Sequence, residues 1–173
     1  MRIPKVAFAC HLVRNPQSPL LPRCRTRGIM SASASNTAPS LTYGPATAQS
    51  LDRAAALEWL ETNGWGDCAC GAVAGLNARR SYGLFIAGGA HPMLLLAALD
   101  IAIERDGESF GLSTRQFADA IHPEGYRLCA QFRLDPFPAW RYEFKGGALE
   151  HRIFMPAGRR CVMSAWKLDA ASA

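Results

Sequence analysis

No acidic residue occurs before Asp52. The six charges in that stretch, Arg2, Lys5, Arg14, Arg23, Arg25 and Arg27, are all positive. Without them, 13 of the 19 basic residues face 14 acidic ones, so the rest of the chain is nearly neutral and the net +5 belongs to the N-terminal stretch. A folded part with no charge excess has no electrostatic basis for binding nucleic acid. Long apolar runs are also missing. The longest, Met93 to Leu99, falls far short of the ~18 residues that cross a bilayer, so no membrane partner is expected.

Several chemical signatures are absent as well. The six cysteines, Cys10, Cys24, Cys68, Cys70, Cys129 and Cys161, include no C-x2-C pair of the kind that holds zinc. They read as reduced thiols of a cytoplasmic protein, where disulfides are rare. The glycine-rich stretch from Gly64 to Gly75 contains neither G-x-G-x-x-G nor a phosphate-loop lysine. His122 and His151 have no serine or cysteine nucleophile at a recognisable spacing and read as structural. No cofactor, metal or catalytic residue is expected. Strand-helix-strand rhythm is missing, which excludes a doubly wound dinucleotide fold.

What is present begins with a tail. Residues 1 to 50 are basic, Pro-rich and Ser/Ala-rich, without sustained apolar periodicity, and are expected to be disordered. An organelle transit peptide and, more weakly, a secretory signal are open readings. The preferred one is an extension upstream of a true start at Met30. The stretch from Ser50 to Asn63 predicts a short helix, capped by Ser50, that passes into an extended segment around Glu58-Trp59-Leu60-Glu61-Thr62. Four glycines between Gly64 and Gly75 then imply sharp turns.

From Arg80 onward the signal is β, beginning with a short apolar strand from Leu84 to Ala87. Leu99, Ile101 and Ile103 alternate with Asp100, Ala102 and Glu104, and Asp106-Gly107 supplies a hairpin turn. Trp140, Tyr142 and Phe144 alternate with polar residues, Gly146-Gly147 turns the chain, and Leu149, His151, Ile153 and Met155 return. Cys161 to Leu168 reads as the last strand. Short strands separated by Gly and Pro indicate an all-β, antiparallel β-sandwich over residues 51 to 168. Asp100, Glu104, Glu143 and Glu150 fall on the polar side of these strands, where carboxylates normally meet Arg or Lys.

Three ordered blocks carry a resemblance. The first is Glu58-Trp59-Leu60-Glu61-Thr62-Asn63-Gly64-Trp65-Gly66, continuing to Gly71, Gly75, Asn77, Arg79, Arg80 and Gly83-Leu84. The second holds Pro123, Gly125-Tyr126-Arg127, Phe132-Arg133-Leu134-Asp135-Pro136, Pro138, Trp140 and Tyr142-Glu143. The third is Leu149-Glu150, Arg152-Ile153-Phe154-Met155-Pro156 and Gly158. Together they resemble the N-terminal domain of archaeal and bacterial-type glycogen debranching enzymes, the amylo-α-1,6-glucosidase family. The family's first block reads roughly E-W-L-x-T-N-G-x-G-G-Y-A-x-G-T-V-x-G-x-N-T-R-R-Y-H-G-L-L. This chain departs from it at Asp67, in place of a glycine; at Cys68 and Cys70, in tyrosine and serine positions; and at Ser81-Tyr82, in place of Tyr-His.

The resemblance implies a glucoamylase-like N-terminal sandwich that packs on a catalytic α/α-barrel. In the family that barrel hydrolyses α-1,6 branch points, a reaction that needs two carboxyls, ~6.5–9.5 Å apart in inverting enzymes. The chain is expected to be truncated at residues 169–173, with the barrel absent and supplied as another domain or subunit. Its expected partner is glycogen or another branched α-glucan. Asn63, Trp65, Arg79, Arg80 and Tyr82 are the candidate substrate-binding or domain-interface residues. Trp59 and Trp140 read as core because they alternate within strands, whereas Trp65 lies in the glycine loop. Trp65 and Ala72-Val73-Ala74 are expected to form an exposed apolar face there.

Overall fold

The computed structural model describes residues 5–12 and 40–170. The architecture is two antiparallel sheets packed face to face, the expected all-β sandwich. The first sheet runs β1 (Lys5–Leu12), β6 (Met93–Arg105), β5 (Gly83–Ala87), β4 (Cys68–Ala72), β3 (Glu58–Thr62), with β7 (Glu108–Gly111) also paired to β6. The second runs β13 (Met163–Ala170), β12 (Gly147–Phe154), β11 (Pro138–Phe144), β10 (Cys129–Leu134), β2 (Leu41–Tyr43). A small hairpin, β8 (Thr114–Gln116) with β9 (Ile121–Glu124), completes the strands. Among the described residues, no helix is long and apolar enough to cross a membrane.

The alternation seen in sequence sets the inner faces. Phe132, Trp140, Tyr142, Leu149, His151 and Ile153 of the second sheet are buried against Trp59, Ala69, Phe85, Ile101 and Ile103 of the first. Trp59 and Trp140 meet edge to face with ring centroids 5.4 Å apart, one tryptophan from each sheet. Phe132 packs on Trp140 at 5.1 Å. Such a pair adds about 0.5–1.5 kcal/mol beyond the burial of its rings. A buried indole N–H must also find an acceptor. Trp59 Nε1 donates to the Ala72 carbonyl at 3.3 Å, and Trp140 Nε1 donates to that of Val73 at 2.8 Å. Gly71 lies opposite Trp59 in the register, and the indole ring packs next to it.

These bonds correct one expectation. Ala72, Val73 and Ala74 are 1%, 2% and 5% exposed, so they are core and not part of an open face. The carbonyls of Ala72 and Val73 accept from the two tryptophans, which draws the segment inward.

The tail boundary shifts as well. Residues 40–50 belong to the folded body: Tyr43 stacks on Phe132 at 6.4 Å, and Ala48 of helix α1 (Pro45–Ala48) is buried. Residues 5–12, also assigned to the tail, pair along β6 from Leu96 to Glu104 as β1. The expectation of disorder for residues 13–39 lies outside the described residues. Helix α2 (Leu51–Ala56) follows Ser50 as expected, although the Ser50 side chain makes no capping hydrogen bond. β13 continues two residues past the expected end at Leu168.

Two truncations separate the tail from the body. Starting the chain at residue 50 instead of 40 removes the Tyr43–Phe132 stack and the buried Ala48. It is expected to lower unfolding stability by on the order of 2 kcal/mol relative to the start at 40. Urea denaturation of both proteins checks this, and equal midpoints would place 40–49 outside the cooperative unit.

Candidate functional site

The loop between β3 and β4 is built on a buried carboxylate. Asp67 is 0% exposed. Its Oδ2 accepts from Asn63 Nδ2 at 2.7 Å and its Oδ1 from the Gly88 N–H at 2.8 Å, while the Arg160 guanidinium lies 3.6 Å away. Three loops therefore meet on one side chain: 63–67, the β5–β6 connection and the β12–β13 connection. Asn63 extends the junction. Its Nδ2 also donates to the Arg159 carbonyl at 3.0 Å, its Oδ1 accepts from the Trp65 N–H at 2.8 Å, and its own carbonyl accepts from the Gly158 N–H at 2.9 Å.

Glycine is required where these loops touch. At Gly88, an added Cβ would lie 2.1 Å from the Gly66 carbonyl oxygen, so the two backbones pass in direct contact. Gly64 and Gly66 have φ of +76° and +92°, which turn the chain around the tip and leave Trp65 outside it. Trp65 is 62% exposed, and its ring lies over Gly158 of the β12–β13 loop. Arg159 and Arg160 are exposed beside it. The result is an exposed aromatic ring on a loop whose backbone is tied from beneath.

The five residues singled out from sequence separate into two groups. Asn63 and Trp65 lie at this loop end, but only Trp65 faces solvent; Asn63 is 1% exposed and holds the loop together. Arg79 and Tyr82 lie at the far end of β3, ~13 Å away at the rise of a strand. There the Tyr82 hydroxyl donates to Glu58 Oε1 at 2.6 Å, and Arg79 pairs with the same oxygen at 2.9 Å. Burial and the Glu58 hydrogen bond push the Tyr82 hydroxyl up. Arg80 is exposed in the adjoining turn.

Three of the four strand carboxylates, Asp100, Glu143 and Glu150, meet arginines as expected. Asp100 pairs with Arg115 at 2.6 Å, Glu143 with Arg141 at 3.3 Å, and Glu150 lies between Arg133 and Arg152 at 2.8 and 2.6 Å. His151 is buried between Trp140 and Trp166, and its Nε2 meets Ser164 Oγ at 2.9 Å. Burial pushes its pKa down to about 3, so the imidazole is neutral at physiological pH. Among the described residues, no three His, Cys, Asp or Glu side chains gather as a metal-ligand group.

Residues 57–173 match the family described as Glycogen debranching enzyme N terminal. The chain belongs to that family. No curated protein and no solved structure matches it. The matched segment of this debranching-enzyme N-terminal domain contains both tryptophans of the inter-sheet contact and the whole Asp67 junction. It also contains the departures from the family pattern, and Asp67 stands where that pattern has glycine. A residue added there must satisfy a buried carboxylate, and Asn63, Gly88 and Arg160 do so.

The sequence reading missed Glu61. It shares the parity of Trp59 on β3, so it points toward the sandwich interior. Burial drives its pKa up to about 7, against a smaller lowering by the Met155 N–H. The folded state thus holds this proton more tightly than the unfolded chain, whose value is 4.5. The stabilisation from protonation is complete below about 4.5 and is lost as pH rises through about 7. Glu61→Gln is expected to raise the thermal midpoint above that of the wild type at pH 8 and to match it near pH 4.5. A constant difference across that range would contradict the buried setting of Glu61.

Proposed function

We propose that this domain is the non-catalytic sandwich of a cytoplasmic glycogen-debranching system and that it contacts branched α-glucan through the Trp65 loop end. A catalytic α/α-barrel, as another domain or subunit, carries the carboxyl pair that cleaves the α-1,6 bond. The observation that carries this reading is the exposure of Trp65 on a backbone anchored at Asp67. An indole held in water loses favourable burial unless a ligand covers it. Its flat apolar face matches the C–H face of a glucose ring. Arg159, exposed and next to Gly158 in the same loop, offers N–H donors for sugar hydroxyls. Asn63 and Asp67 act from below, by holding the loop.

A second reading is a stand-alone protein-interaction module. It is favoured by Leu60, 61% exposed on the edge strand β3, because an edge strand with an apolar side chain can pair with another chain.

Electrophoresis through glycogen-containing gels tests the two. Glycogen is expected to retard the wild type, and Trp65→Ala is expected to weaken binding about tenfold, the loss of one stacking contact. Leu60→Ser is expected to bind glycogen as the wild type does. Equal retardation of Trp65→Ala and wild type would contradict the glycan reading, as would release of glucose from limit dextrin by the purified chain.

A further inference from the structure

Four of the positions that depart from the family pattern, Cys68, Cys70, Ser81 and Tyr82, are neighbours in space. Cys70 Sγ donates to the Ser81 carbonyl at 3.0 Å, and Tyr82 lies within the electrostatic reach of Cys70. Cys68 and Cys70 are alternate residues of β4, so both side chains leave the same face of the sheet. Ala69 between them is 0% exposed and faces the core, which puts the thiols on the outer face. Their cross-strand partners on β3, Thr62 and Leu60, are exposed there as well. The register slip against β5 places the extra residue on β5, between Ile86 and Gly83, so β4 keeps its regular alternation. Both cysteines are free and partly exposed, and they lie within electrostatic reach of each other.

We propose that Cys68 and Cys70 form a two-thiol site for a soft monovalent metal ion, Cu(I), on the outer face of the first sheet. Two ligands are too few for zinc, which takes four in structural sites. Thiolates select soft ions, and a d10 monovalent ion is satisfied by two of them in a linear arrangement. Binding replaces two S–H bonds by two S–Cu bonds. Each thiol releases one proton to solvent, the complex Cu(SR)2 carries one negative charge, and no oxidation state changes. The site is independent of the glycan reading, because Trp65 and Asp67 take no part in it.

Anaerobic titration of the full chain with Cu(I), in competition with bicinchoninate, tests the proposal. One tightly held Cu(I) per chain is expected. Cys68→Ser and Cys70→Ser are each expected to weaken it at least 100-fold, with unchanged circular dichroism of the metal-free proteins. A chain with Cys10, Cys24 and Cys161 changed to Ser is expected to keep the wild-type affinity and decides the matter if either single variant unfolds. Wild-type affinity in a folded Cys68→Ser or Cys70→Ser variant overturns the site, as does its loss from the chain that retains both.

Discussion

A fully buried carboxylate is stable only if donors surround it, because the cost of removing it from water amounts to several kcal/mol. Asp67 meets that condition with donors from three different loops, and this requirement shapes the loop end of the sandwich. Asn63 must be buried to reach it, which fixes the turn that carries Trp65. The β5–β6 connection must bring Gly88 close enough to donate, which leaves no room for a side chain against Gly66. Arg160 must reach down from the β12–β13 loop, which brings Gly158 under the Trp65 ring. The conformation of the exposed tryptophan is thus a consequence of satisfying an acid beneath it.

The same strand, β3, couples this loop end to the core. Trp59 points inward to Trp140, and its N–H and that of Trp140 take consecutive carbonyls, the last of β4 and the one after it. The segment from Ala72 to Ala74 is thereby pinned between the sheets, and β4 emerges from it with a fixed register. That register sends Ala69 inward and the two cysteines outward. Local packing in the sandwich and the chemistry of its outer face therefore follow from one strand pair. Glu61, one step beyond Trp59 on the inward side, is half-buried at the same interior, which pushes its pKa up to about 7.

Much of this was legible in the sequence. The alternation from Leu99 to Ile103 and from Trp140 to Phe144 identified strands and their inner faces, and Asp106-Gly107 turns the chain as that pair predicts, with φ of +52° and +83°. Trp59 and Trp140 were recognisable as core by parity. The same parity rule was available for Glu61, but a charged residue reads as surface by default, and nothing local marks Asp67 as buried. Burial of such groups depends on donors that are distant in sequence: Arg160 is far along the chain from Asp67. The inclusion of residues 40–50 was hidden by composition, since a three-residue edge strand beside Pro and Ser carries almost no periodic signal. Ala72-Val73-Ala74 was misread because its burial comes from bonds to two indoles, which no local pattern announces.

If the Asp67 junction exists to present Trp65 to a glucan, the ligand must leave its mark on those loops. Hydrogen–deuterium exchange of the chain, with and without a branched maltooligosaccharide, measures this directly. The account predicts added protection confined to residues 62–67 and 156–160, with the far end of β3 around Arg79 and Tyr82 unchanged. Protection centred on Arg79 and Tyr82 instead, or no change at either end at saturating glucan, would contradict it.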